Sequence, residues 1–111
     1  MMEGNKKYLS DILSAIELIK SFISDIKSFN DYIADFKTQS AVERQLGIIG
    51  EAINKYNQLF PSEKIQNSSK IIGLRNRLIH AYDSIDNSII WTIIKNHLEN
   101  LKIEVKNKLN N

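Results

Sequence analysis

The chain has no cysteine in its 111 residues, which excludes disulfide bonds, thiolate zinc sites and a cysteine nucleophile. Histidine is nearly as scarce, with only His80 and His97, so a metal site built from several histidines is not expected. No apolar stretch approaches the roughly 20 residues of a membrane-spanning helix. Asp11 and Glu17 interrupt the apolar pattern near the N-terminus, which therefore lacks a signal-peptide core. We expect a cytoplasmic protein that uses no metal and no cofactor.

An excess of charge of one sign is also lacking. Fifteen lysines and arginines oppose thirteen aspartates and glutamates, which leaves a formal net charge of +2. Nucleic-acid-binding domains usually carry a strongly basic face, so this balance by itself does not indicate such a partner. The composition, 42% hydrophobic and 25% charged, is typical of a folded globular protein, and the length predicts one domain over residues 1–111.

Apolar residues recur at alternating intervals of three and four, the spacing of one face of an α-helix. The first helix is predicted over about residues 5–29, with a short turn of helix at 32–36. The second long helix is predicted to run through Phe60 and to end there, because Pro61 excludes the residue before it from helical geometry. The two apolar stripes are Leu9, Ile12, Ile16, Ile19, Ile23 and Ile26, and Val42, Leu46, Ile49, Ile53, Tyr56 and Phe60.

Two further helices are predicted in the second half of the chain. Ser68 or Ser69 is expected to cap a third helix that runs to about residue 82, and Asp86 a final helix. The last stripe is Ile90, Ile94, Leu98, Leu101 and Val105. No strand-like alternation competes with these helices. The predicted fold is all-α, a four-to-five-helix antiparallel up-down bundle whose stripes could extend across a dimer interface.

Two glycines lie inside the second long helix, where each costs up to about 1 kcal/mol relative to alanine. Gly47 and Gly50 lie along roughly one ridge with Arg44. Close packing of a neighbouring helix would explain the glycines. A cleft bordered by Arg44 and Glu51 would explain them as well, and both interpretations stay open.

The third helix contains an unusual polar cluster, RNRLIHAY at residues 75–82. At about 100° per residue and with Ile71 at zero, Arg75 lies near 40°, inside the apolar arc and next to Tyr82, whereas His80 lies near 180°. Unpaired charges are almost never buried, so Arg75 needs a partner. Three explanations remain: an acid within the fold, a subunit interface with a polar centre, or an irregular helix in which Arg75 and His80 line one cleft.

The surroundings of His80 allow an acid/base role. Asn76 lies one turn before His80 and can hydrogen-bond its ring, and Arg77 lies three residues before it. A nearby cation favours the neutral imidazole, the form that accepts a proton. The alternative is a histidine that is merely exposed, which is our expectation for His97.

The spacing Arg75, four residues, His80, one residue, Tyr82 resembles the Arg-x4-His-x-Tyr signature of the HepT-like toxins. These toxins are a branch of the HEPN-domain ribonucleases of prokaryotes. The segments AVERQLGIIGEA at 41–52 and GLRNRLIHAY at 73–82 resemble the family's second-helix and third-helix stretches. Trp91 stands where the family often has a tryptophan, so the resemblance covers essentially the whole chain.

The resemblance implies a homodimer in which the motifs of two subunits meet in a shared cleft. It implies metal-independent RNA cleavage, with His80 as general base on a ribose 2′-hydroxyl and Arg75 stabilising the phosphorane-like transition state. Asn76 and Arg77 would orient the histidine and hold phosphate.

The resemblance also implies a partner, a minimal nucleotidyltransferase antitoxin that in part of the family adds AMP to the motif tyrosine, here Tyr82. AMP close to Arg75 would block RNA by charge and by bulk. A non-catalytic helper that binds a nucleotidyltransferase and helps present its substrate is the alternative.

Overall fold

Six helices lie in the part of the chain that the structure describes. The computed structural model describes the backbone of residues 2–80 and 85–110 and the side chains of residues 6–78 and 85–110. The helices are α1 (Met2–Phe22), α2 (Phe29–Ile33), α3 (Phe36–Leu59), α4 (Ser69–His80), α5 (Asn87–Asn96) and α6 (Leu98–Leu109). No strand occurs in these residues, so the predicted all-α class is confirmed.

The core forms where the apolar stripes of α1, α3 and α6 meet. α1 packs against α3 and α6, and α4 packs against α3. Each fully buried leucine or isoleucine contributes roughly 1.5–3 kcal/mol relative to an exposed one. The predicted stripe residues with no exposed surface are Leu9, Ile12, Ile16, Ile19, Val42, Leu46, Ile49, Ile53, Ile90, Leu101 and Val105.

Side-chain caps fix the starts of α3 and α5. Asp35 Oδ1 accepts a hydrogen bond from the backbone N–H of Thr38 at 3.0 Å. Asp86, the predicted cap of the last helix, accepts from the N–H of Ser88 at 2.9 Å. The hydroxyl and backbone N–H of Ser88 lower the pKa of the Asp86 carboxyl, since both favour its charged form. Caps of this kind typically contribute about 1 kcal/mol.

Ser68 starts α4 through its backbone. Its carbonyl accepts from the N–H of Ile72 at 2.9 Å, the first bond of the helical ladder. Its hydroxyl instead donates to the carbonyl of Ile65 at 2.8 Å. Ser68 therefore occupies the predicted cap position, but its hydroxyl bonds to the preceding loop and not to the helix.

The first helix ends earlier than the apolar stripe predicts. α1 stops at Phe22, and Ile23 and Ile26 are only partly buried. The hydroxyl of Ser24 donates to the carbonyl of Ser21 at 2.9 Å, and such local bonds compete with the helical ladder. The predicted end at residue 29 was therefore too late.

The final predicted helix is two helices that meet at a bend. The backbone of His97, with φ −119° and ψ −27°, separates α5 from α6. Hydrogen bonds from His97 N to Ile93 O, 3.0 Å, and from Leu101 N to His97 O, 3.1 Å, keep the two segments joined. The apolar stripe therefore stays in the core across the bend. This break and the short α2 bring the helices of the described residues to six, above the predicted four to five.

Aromatic rings connect α2 to α5. The ring of Trp91 lies 5.4 Å from the ring of Tyr32 and 6.4 Å from that of Phe29, measured between centroids. Offset ring pairs at these distances contribute about 0.5–1.5 kcal/mol beyond their burial. Among the residues described, no helix has the length and apolar character needed to cross a membrane.

Candidate functional site

An ion pair joins α4 to α3 at the position where the sequence places a charge in an apolar face. The Nη2 of Arg75 donates to Oε1 of Glu51. The Arg75 side chain is 22% exposed and that of Glu51 44%, so the pair lies at the edge of the core. The first of the three explanations for Arg75, an acid partner within the fold, is confirmed.

A second contact helps to fix the orientation of the Arg75 guanidinium. Its Nη1 donates to Oδ1 of Asn76 at 3.1 Å. Its Nε is buried and has no hydrogen-bond partner among the described residues. Each Nη carries two N–H groups, and each of these bonds uses one of them. The guanidinium therefore keeps N–H groups that can donate to a phosphate.

Gly50 allows α4 to approach α3 closely beneath Arg75. A Cβ atom at Gly50 would lie 2.6 Å from Cβ and 3.0 Å from Cγ of Arg75. The Cβ of Arg75 is bonded directly to the backbone, so it cannot move away without moving α4. Close helix packing, one of the two interpretations of the glycines, therefore explains Gly50.

Gly47 has a different environment. A Cβ atom there would meet no described heavy atom within 4 Å beyond the helix's own neighbouring backbone. Gly47 instead lines an open cavity of about 500 Å³, within the roughly 300–1,000 Å³ range of ligand pockets. The cavity lies between α3 and α4 and is lined by Ser40, Glu43, Arg44, Gly47, Ile48, Glu51, Arg75 and Leu78. The predicted cleft bordered by Arg44 and Glu51 is therefore present, and it contains Arg75.

The other predicted residues on α4 are placed differently. Asn76 is exposed and contacts Arg75. Arg77 is exposed and does not line the cavity. Its positive charge lies near Asp86, where it adds to the lowering of that carboxyl's pKa after the hydrogen bonds from Ser88. The structure thus brings Asn76 to Arg75 and turns Arg77 toward the start of α5.

The structure describes the backbone of His80 but not its side chain, and it does not describe Tyr82. His80 is the last residue of α4, and its side chain lies outside the described part of the chain. Tyr82, the predicted modification site, lies wholly outside it. His80 lies five positions after Arg75 on α4, which is about 7.5 Å along the axis of a helix.

His97 differs from its prediction. It was expected to be exposed, but it is partly buried at the bend between α5 and α6. It lines a separate, smaller cavity of about 190 Å³ together with the loop that precedes α4. Its position at the bend, beside the loop that precedes α4, accounts for its partial burial.

The described residues that line the cavity between α3 and α4 include charges of both signs. Arg44 and Arg75 are its cations, and Glu43 and Glu51 its anions. Within the described ranges, no group of three histidine, aspartate or glutamate side chains is arranged to hold a metal ion. The groups that this cavity offers to a ligand are guanidinium donors, carboxylate acceptors and apolar surface from Ile48 and Leu78.

Sequence reasoning missed Ser40, Glu43, Ile48 and Leu78 as lining residues. A usable signal was present, because Ser40, Arg44, Ile48 and Glu51 recur at spacings of four, four and three and so share one face of α3. That face combines polar residues with an exposed isoleucine, 37% accessible, in contrast to the fully buried face formed by residues such as Leu46.

Comparison with known proteins points to one family. The model of the family described as "Ribonuclease HepT-like" matches residues 12–107. A protein of Thermococcus cleftensis named "Probable ribonuclease HepT" is 40% identical over 106 residues, covering 92% of this chain and 93% of that protein. A protein of Aphanizomenon flos-aquae named "tRNA nuclease HepT" is 28% identical, covering 86% and 85% respectively. No solved structure gives a match to this chain.

Proposed function

The chain belongs to the ribonuclease HepT-like family, and from this we propose that it is a ribonuclease toxin that cleaves RNA without a metal and is paired with a nucleotidyltransferase antitoxin. The observation that carries the proposal is the placement of Arg75. Its guanidinium lies in an open cavity and is held by Glu51 and Asn76. A positioned cation of this kind suits the stabilisation of negative charge that develops on a phosphate.

The proposed reaction is an internal attack within the RNA strand. His80 removes the proton of a ribose 2′-hydroxyl, and the 2′-oxygen attacks the adjacent phosphorus. The bond to the 5′-oxygen of the next nucleotide breaks, and that oxygen takes up the proton from His80. The products are a 2′,3′-cyclic phosphate and a 5′-hydroxyl. Arg75 stabilises the phosphorane-like transition state, and Asn76 orients its guanidinium. Arg77, which lies outside the cavity of its own chain, would hold phosphate in the cleft shared with a second copy.

A homodimer is part of the proposal. On one ideal helix the directions of Arg75 and His80 differ by about 140°, so a single copy of α4 presents them on different sides. Two copies whose α4 helices face each other would place both motifs in one shared cleft. In such a dimer the cavity between α3 and α4 would open into the shared cleft.

The first prediction concerns cleavage itself. The purified protein is expected to cleave total RNA equally well with and without EDTA, because the proposed chemistry uses only side chains. A short RNA with a single 2′-deoxy nucleotide at the cleavage position should resist cleavage, since it lacks the attacking hydroxyl. Gel analysis of labelled RNA and identification of cyclic-phosphate ends measure both results. No cleavage under any condition, together with tight binding to a nucleotidyltransferase, would instead support the non-catalytic helper.

A second prediction concerns Tyr82. Co-expression with the neighbouring nucleotidyltransferase is expected to add one or more AMP groups to Tyr82 and to suppress cleavage, because phosphate and bulk beside Arg75 exclude RNA. Intact-mass measurement detects the additions, and peptide mapping locates them. Tyr82→Phe, which keeps the ring and removes the acceptor oxygen, is the matched control and should stay unmodified. An unchanged mass in the presence of active nucleotidyltransferase would refute this modification.

A further inference from the structure

Arg44 is a second cation on the wall of the cavity that contains Arg75. Its side chain is exposed. Unlike Arg75, it forms no hydrogen bond or ion pair with any described residue. On the premise that the chain is a ribonuclease, we propose that Arg44 binds the RNA phosphate next to the scissile one and sets the affinity of the site for single-stranded RNA.

Arg44 and the Arg75–Glu51 pair lie at different positions along α3. Arg44 and Glu51 are seven residues apart on α3, which is about two turns and about 10 Å along the helix. Arg75 is paired with Glu51, so Arg44 joins the cavity wall about two turns closer to the start of α3 than the pair does. The backbone between them includes Gly47, whose missing side chain leaves the floor open. An extended strand can therefore lie along α3 and reach both cations.

Arg44 also contributes to the charge of the cavity. The described lining residues include two arginines and two glutamates, and Arg75 is paired with one of those glutamates, Glu51. Replacing Arg44 with a neutral residue would remove a positive charge that is not engaged in this pair. A polyanion approaching the site would then be attracted less strongly. Arg44 is thus expected to raise the affinity of this surface for RNA.

The choice of an RNA strand over a smaller anion follows from the shape of the site. The cavity is open, and it combines two cations, whose positions on the wall are about two turns of α3 apart, with apolar surface from Ile48 and Leu78. Cations spaced along a helix suit successive phosphates of a strand better than a single phosphate. A strand offers a phosphate to each cation and a base to the apolar wall between them.

Substitution of Arg44 tests the inference. Arg44→Gln is expected to leave kcat within about twofold and to raise KM about tenfold. It should also reduce the slope of log(kcat/KM) against log salt concentration by about 0.7, the contribution of one phosphate contact on a single strand. Arg44→Lys should recover most of the slope. Lys37→Gln removes the same charge from the exposed start of α3 outside the cavity, and should change the slope far less.

Three other results would contradict the inference. An Arg44→Gln protein that behaves like Lys37→Gln would overturn the inference. So would a loss of kcat at unchanged KM, which would assign Arg44 to the chemistry, or a loss of dimer on gel filtration, which would assign it to an interface. Binding of an uncleavable 2′-deoxy-substituted RNA is measured in parallel. If the wild-type protein cleaves nothing, the proposed function fails, while this binding comparison still decides the role of Arg44.

Discussion

Replacing Arg75 with alanine is expected to lower the rate of RNA cleavage by about 10²- to 10⁴-fold, the range seen when a positioned donor or arginine is removed from a transition state. Two effects act in the same direction. The transition state loses its guanidinium, and Glu51 loses its arginine partner and keeps only the longer ion pair with Lys55, so its negative charge on the cavity wall is less well offset. Single-turnover cleavage of a labelled RNA measures the loss, and His80→Ala should show one of similar size.

Folding controls separate this chemical effect from a structural one. Arg75→Ala also removes the aliphatic stem that packs over Gly50, so a loss of stability of about 1–2 kcal/mol is expected beside the loss of activity. Arg75→Lys keeps a cation and most of the stem, but it cannot donate to two oxygens in a fork, so it should fold normally and remain slow. Lys70→Gln removes a charge from the same helix away from the cavity. If Arg75→Ala and Lys70→Gln cleave at the same rate, Arg75 has no role in the chemistry.

The helix faces could be predicted from the sequence because burial follows one side of a helix. The stripes from Leu9 to Ile19 and from Val42 to Tyr56 are buried as expected, since spacing alone determines which residues share a face. The same spacing did not predict where helices end. The hydrogen bond from the Ser24 hydroxyl that ends α1 and the bend at His97 both depend on local backbone geometry. The apolar stripe of the last helix continues through the bend, so the spacing of apolar residues does not reveal it.

The site could be predicted only in part. The position of Arg75 on the helical wheel showed that it needed a partner, but the partner lies on another helix 24 residues away in sequence. Glu51 was identified as a cleft residue without being linked to Arg75. The link depends on how closely α3 and α4 pack, and that closeness is a tertiary property which Gly50 permits. Asn76 was expected to contact His80, and its described hydrogen bond is to Arg75.

The contact between Gly50 and Arg75 predicts that Gly50→Ala destabilises the protein, although replacing glycine with alanine inside a helix usually stabilises it. Alanine is the better helix former by up to about 1 kcal/mol, so Gly50→Ala should stabilise an isolated α3. In the protein the added methyl would lie 2.6 Å from Cβ of Arg75, which forces α4 away from α3. Overpacking of this kind typically costs about 1–3 kcal/mol, and we expect a net loss of stability. The midpoint of urea unfolding measures it.

Gly47→Ala is the matched control, on the same helix three residues earlier. Its added methyl meets no described atom within 4 Å beyond the local backbone. Gly47→Ala should therefore raise the free energy of unfolding by about 0.5–1 kcal/mol, the full advantage of alanine in a helix. The two glycines should therefore respond in opposite directions to one and the same change. Equal stabilisation by both substitutions would mean that α4 does not pack on Gly50 as described. Because displacement of α4 also moves Arg75 relative to Glu51, Gly50→Ala should slow RNA cleavage even at temperatures where the protein remains fully folded.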